Sequence, residues 1–139
     1  MKTGIPYGDK TVYLEIPEKN FIGLLDPPEI FPAKNPAQVL LDAIENPIGG
    51  EKLEEIVKLG KKIVVIVDDG SRPTPVSLIL PVLMKKLQEC GAEKKDIKIV
   101  IALGSHRYMT EDEIKDRVGE EIYTSYQVLN SEFRDPKEL

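Results

Sequence analysis

The chain has 139 residues, 41% hydrophobic and 31% charged, with a formal net charge of −5. Such a length and composition fit one folded domain with a core, and exclude a disordered or membrane-embedded chain. The acidic balance lacks the basic footprint of a general nucleic-acid binder, though one local cation suffices to hold a small anion. Cys90 is the only cysteine, which excludes an internal disulfide and a cysteine metal cluster and suits a reducing cytoplasm. No apolar segment at the N-terminus reads as a signal peptide, and no stretch approaches the ~20 apolar residues of a membrane span.

In chain order, residues 5–7 and 11–17 flank Gly8-Asp9-Lys10, and Val12, Leu14 and Ile16 alternate with Tyr13 and Glu15. This predicts an antiparallel hairpin. Residues 21–25 read as a further short strand or a packed loop. Residues 26–36 contain Pro27, Pro28, Pro32 and Pro36 and form a connector. Asn35-Pro36 starts a helix as N-cap and N1, and Asn46-Pro47 ends it. Leu53, Ile56, Val57 and Leu59 suggest a second short helix, with Gly60 just past its end.

Residues 63–67, Ile-Val-Val-Ile-Val, have no polar alternation and predict a strand buried on both faces. The strand runs into Asp68-Asp69-Gly70-Ser71-Arg72. Thr74-Pro75 predicts the N-cap and N1 of the next helix, which has Pro81 inside it, hence a kink or break, and Gly91 at its end. Cys90 fits as a small packed residue. A second strand, residues 97–103, runs into Gly104-Ser105-His106-Arg107. Thr110 and Glu113 form a capping box for a helix that stops at Gly119. Residues 126–129 predict a third strand, and residues 131–139 a frayed end. Alternating strands and helices from Ile63 onward predict a parallel sheet with flanking helices, a Rossmann-like α/β fold carrying an N-terminal antiparallel hairpin.

In such a sheet, ligands bind outside the carboxyl ends of the strands. Both polar loops lie there. Arg72 offers a planar fork for a carboxylate or phosphate, and the helix start at Thr74 favours an anion. Asp69, three residues earlier, could instead pair with Arg72 and cap the loop. His106, the sole histidine, suits acid/base work or a metal, or a structural role. Arg107 adds a cation or is a solvated loop residue. Asp68 and Asp69 are adjacent on an extended chain and point to opposite sides, which argues against a shared metal. Gly70 and Gly104 give the backbone room to approach a ligand. Ser71 has no GxSxG elbow, and GSHR is not a phosphate-loop signature.

The segment Asp69-Gly70-Ser71-Arg72-Pro73-Thr74-Pro75 resembles the D-x-[TS]-R-P-x-P loop of the nickel-dependent lactate racemase family. Residues 102–110, ALGSHRYMT, resemble that family's A-x-G-x-H-R-x-[MS]-T segment, and Asn46-Pro47-Ile48-Gly49 also fits. The resemblance covers most of the chain and implies racemisation or epimerisation of a 2-hydroxy acid. Its cofactor is a nickel pincer nucleotide bound covalently to a lysine. By resemblance His106 is an acid/base histidine, Arg72 holds the substrate carboxylate and Asp69 orients the site. Ser71, Thr74 and Gly104 would contact the cofactor. The cofactor lysine, the nickel-binding histidine and the second acid/base histidine of the family lie beyond the matched region, and no metal ligand is assigned to this chain. Residues 1–139 are therefore expected to be the single N-terminal domain of a larger two-domain cytoplasmic enzyme. Its partners would be the substrate and the C-terminal domain, with self-association through exposed apolar surface, and no nucleic acid or membrane. Two alternatives stand beside this: a non-catalytic module that binds a small anion, and a structural domain in which Asp69, Arg72 and His106 only stabilise loops.

Overall fold

The computed structural model describes residues 1–134. They fall into two compact units, Met1–Pro32 and the region from Ala33 onward. In the first unit β1 (Lys2–Tyr7) and β2 (Lys10–Glu15) pair antiparallel, with Tyr7 opposite Lys10 across the turn at Gly8 and Asp9. The predicted hairpin is thus present. Its ends are tied by reciprocal bonds, Met1 N to the Ile16 carbonyl at 2.7 Å and Ile16 N–H to the Met1 carbonyl at 2.8 Å. A single 3-10 turn follows at Glu18–Asn20. Residues 21–25 form neither a strand nor a packed loop, since Ile22 and Leu25 are fully exposed.

The second unit is α/β. Helix α1 (Pro36–Glu45) begins as the sequence dictates, with the Asn35 side chain accepting from Gln38 N–H at 3.2 Å. Helix α2 (Leu53–Ile56) is only one turn, because Val57 is already extended. The strands β3 (Ile63–Asp68), β4 (Ile97–Ala102) and β5 (Gln127–Asn130) form a parallel sheet in the order β3-β4-β5. Between them run α3 (Val76–Glu89), α4 (Glu111–Val118) and α5 (Glu120–Ser125).

The core lies between the helices and one face of this sheet. Ile97, Ile99 and Ile101 of β4 meet Leu80, Met84 and Leu87 of α3, Ile114 and Val118 of α4, and Ile122 of α5. Fully burying side chains of this size contributes about 1.5–3 kcal/mol each before chain entropy is counted. Expectation and structure differ at β3. Ile63, Val65 and Val67 pack on the core, but Val64 and Ile66 are 56% and 70% exposed, so the strand is buried on one face. Alternate side chains point to opposite faces of a strand, and the core helices cover only one of them.

One more departure concerns α3. Its N-cap is Pro75, not Thr74, whose hydroxyl is used elsewhere. Pro81 neither breaks nor divides the helix, which is continuous to Glu89; the amide bond it lacks would have gone to Ser77, on the exposed face. The helix ends at Cys90. Gly91 has φ +95°, Gly91 N–H bonds Gln88 O at 2.9 Å and Ala92 N–H bonds Leu87 O at 3.0 Å, which satisfies the final carbonyls. Burial pushes the Cys90 thiol pKa up, as suits a packed residue. The Thr110 capping box is present, and Gly119, at φ +87°, separates α4 from an additional helix, α5. Of the predicted frayed end, residues 135–139 lie outside the described residues. Among the described residues no helix is long and apolar enough to cross a membrane.

Candidate functional site

β3 and β4 are adjacent and parallel, with Asp68 opposite Ala102, so the loops that follow them emerge side by side. The two aspartates at the end of β3 part company there, as expected of neighbours on an extended chain. Each anchors a separate network.

Asp69 is 7% exposed. Its Oδ1 accepts from the Ser71 hydroxyl at 2.6 Å and from Ser71 N–H at 3.1 Å. Its Oδ2 lies 2.5 Å from His106 Nδ1. The Ser71 hydroxyl, and then the imidazole, lower the Asp69 pKa from 3.8 to about 2. An ionised carboxylate can only accept, so Nδ1 of His106 carries the hydrogen. Among the described residues nothing bonds Nε2, and the His106 side chain is 58% exposed. A histidine fixed in this tautomer presents a basic nitrogen to whatever approaches it.

Asp68 faces the other way. Thr74 donates its hydroxyl to Oδ2 at 2.5 Å, and Arg117 pairs with Oδ1. Both keep the Asp68 pKa below the usual carboxylate value, Thr74 most strongly. Arg117, from the last turn of α4, is 11% exposed at its side chain. Its Nε also donates to the Asp68 carbonyl at 3.1 Å, and its Nη1 to the carbonyls of Arg72 and Thr74 at 3.1 and 3.0 Å.

The second loop is pinned from β5. Asn130 Nδ2 donates to the Met109 carbonyl at 2.9 Å, and Met109 N–H donates to Asn130 Oδ1 at 3.3 Å. Leu103 N–H donates to the Ser131 hydroxyl at 3.1 Å. Gly104 holds φ +58° with open space where a Cβ would stand, and His106 N–H turns back to Leu103 O at 3.0 Å. Arg107 is neither a free cation nor simply solvated: it forks onto Glu113 at 2.8 and 2.6 Å. Arg107, ahead of the Thr110 amide, lowers the Glu113 pKa from 4.5 to about 2.

Asp69, Gly70, Ser71, His106, Met109 and Arg117 are among the residues lining an open cleft of about 690 Å³. Arg72, Thr74 and Gly104 do not line it. Arg72 does not pair with Asp69; among the described residues its exposed guanidinium has no hydrogen-bond or ion-pair partner. The structure thus brings Asp69 and His106 together and adds Arg117 and Asn130, which the sequence does not single out. Neither carries a local motif, and each acts across at least 21 residues of sequence. Among the described residues no three His, Cys, Asp or Glu side chains gather into a metal-binding group.

A model of the lactate racemase N-terminal domain matches residues 7–139. The chain is 31% identical over 127 residues to the lactate racemase of Lactiplantibacillus plantarum, a match covering 90% of this chain and 30% of that protein. It is 29% identical over 137 residues to the lactate racemase of Thermoanaerobacterium thermosaccharolyticum, covering 97% and 32%. The structure of the lactate racemase apoprotein from Thermoanaerobacterium thermosaccharolyticum matches with a TM-score of 0.80 at 30% identity, covering 99% of this chain and 31% of that one. The chain thus spans about a third of the length of the curated relatives it matches.

Proposed function

The chain belongs to the lactate racemase N-terminal domain family, and from that premise we propose that it is the N-terminal domain of a lactate racemase-like isomerase acting on a 2-hydroxy acid. The observation that carries this reading is the Asp69–His106 dyad, 2.5 Å across, at the carboxyl ends of two adjacent parallel strands.

A 2-hydroxy acid needs a cation for its carboxylate and a base for its hydroxyl. Arg72 is the cation. Its guanidinium makes no bond within the described residues, so a bidentate carboxylate breaks no existing contact. His106 Nε2 is the base. As it takes the hydroxyl proton the ring becomes cationic, and the ionised Asp69 against Nδ1 stabilises that charge and holds the ring in place. Ser71 keeps Asp69 in position by two bonds. In the reverse direction the same nitrogen donates the proton, by microscopic reversibility.

The resemblance implies a nickel pincer nucleotide, which when bound supplies hydride acceptance from the α-carbon. The residues described here do not fit its metal, since they offer no clustered donor set. Nor do they fit its phosphate well. The hydroxyls of Ser71 and Thr74 are donated to Asp69 and Asp68, and those carboxylates would repel a phosphate. Gly104 leaves space for a close approach. We therefore assign Ser71 and Thr74 to holding the aspartates and look to the remaining two-thirds of a racemase-length protein for the metal donors, the covalent lysine and the second acid/base group. That remainder is the partner of this domain.

The test is to follow the optical rotation of L-lactate, and of other 2-hydroxy acids, with the cofactor-loaded enzyme that contains this chain. Decay toward zero rotation is expected for at least one acid. Constant rotation for all of them would overturn the reading and favour the small-anion-binding module, for which Arg72, without a partner among the described residues, is the supporting feature.

A further inference from the structure

We propose that Arg117 is a positioning residue: it sets the backbone of the loop after β3 and through it aims the Arg72 guanidinium at the substrate carboxylate. This deepens the racemase reading and rests on it.

An arginine has five N–H donors in a rigid fork, and this one directs four bonds at a single short loop. Its Nε reaches the Asp68 carbonyl, its Nη1 the carbonyls of Arg72 and Thr74, and its Nη2 the Asp68 carboxylate. The three carbonyls come from the start, middle and end of the loop. Asp68 closes the network by accepting from Thr74. Besides these bonds the loop is tied at Ser71, whose N–H and hydroxyl donate to Asp69 Oδ1. Arg72 N–H reaches Asp69 O at only 3.4 Å, and the Arg72 side chain has no partner among the described residues. The middle of the loop, where Arg72 sits, is thus held mainly through its own carbonyl.

A surface ion pair does not look like this. Lys85–Glu89 spans 3.9 Å with both side chains more than half exposed, whereas Arg117 is nearly buried and spends three of its four bonds on backbone. Lysine carries the same charge but a single point of donation. It keeps the pairing with Asp68 and gives up the simultaneous grip on the Arg72 and Thr74 carbonyls. Charge retention with lost geometry is the contrast the test uses.

Two measurements are made. First, amide hydrogen exchange is recorded on this chain as wild type and as Arg117→Lys. Exchange at Ser71 and Arg72 is expected to rise about tenfold or more, while β4 amides change by less than about twofold. Unchanged exchange at Ser71 and Arg72 overturns the clamp. Second, KM and kcat for the 2-hydroxy acid are measured in the enzyme containing this chain, for Arg117→Lys, Arg72→Lys and the double variant. Arg117→Lys is expected to raise KM about tenfold on the wild-type background and to add almost nothing on the Arg72→Lys background, because two residues acting through one another are not additive. An equal, multiplicative loss on both backgrounds contradicts action through Arg72. If the wild-type enzyme turns over no 2-hydroxy acid, the racemase reading fails together with the aiming of Arg72 at a substrate. The exchange measurement then still decides whether Arg117 holds the loop.

Discussion

Replacing Asp69 by Asn tests the dyad through its proton linkage, without any assay of turnover. In the folded protein Asp69 has a pKa of about 2 against an ordinary 3.8, lowered by the Ser71 hydroxyl and then by His106. A depressed carboxylate contributes stability that is fully present above its unfolded value, here about pH 4, and is lost as pH falls through about 2. At pH 3 the unfolded chain holds about 0.8 more of a proton at this group than the folded chain, from the two pKa values. Stability therefore rises with pH in that window, at a slope set by that difference. Asn does not titrate, so Asp69→Asn removes about 0.8 of a proton from the slope near pH 3, a difference that fades by about pH 5. The assay is urea unfolding at closely spaced pH values from 2.5 to 6, with the two slopes subtracted. Glu113, depressed from 4.5 to about 2 by Arg107, titrates in both proteins and cancels in the difference. Parallel acid limbs in wild type and variant would refute the argument, because Asp69 would then bind protons equally in both states.

Glu113→Gln makes the complementary case: it keeps a side chain able to cap α4 but removes a group that titrates between 4.5 and about 2, so the acid slope near pH 3.3 should fall by about 0.9 of a proton. Leu80→Ala empties a site that is 1% exposed at the centre of α3, and should cost about 2–5 kcal/mol by urea titration with an unchanged m-value. Ile66→Lys acts on the open face of β3, where the side chain is 70% exposed. It should change stability by less than about 0.5 kcal/mol and reduce concentration-dependent self-association of this chain in sedimentation velocity.

Local chemistry made much of this molecule legible in its sequence. Asn35-Pro36, Thr110 with Glu113 and the alternation through Val12, Leu14 and Ile16 each specify structure from a few adjacent residues, and each does so in the fold. The order of strand and polar loop is enough to place Asp69 and His106 at the same edge of the sheet. Long-range facts decided the rest. The run at residues 63–67 is apolar on both sides, so its pattern cannot report that Val64 and Ile66 stay exposed. Thr74 has the chemistry of an N-cap, but a carboxylate six residues upstream captures its hydroxyl. Helix α5 is a short segment directly after Gly119, which reads as a stop. Arg107, which in sequence is an added cation or a solvated loop residue, is bound by Glu113 of the following helix. Arg117 carries no local motif, and only the fold, which brings the last turn of α4 to the loop after β3, gives it the loop carbonyls.

The measurement that bears most directly on the account is turnover by His106→Ala in the cofactor-loaded enzyme that contains this chain, read by chiral chromatography of the 2-hydroxy acid beside a thermal melt. The account predicts a loss of about 10²–10⁴-fold in kcat, the share of a positioned acid/base group, with the melting midpoint essentially kept. Undiminished turnover, or a loss that only tracks unfolding, would contradict the assignment of His106 as the base and leave the dyad a device for holding two loops together.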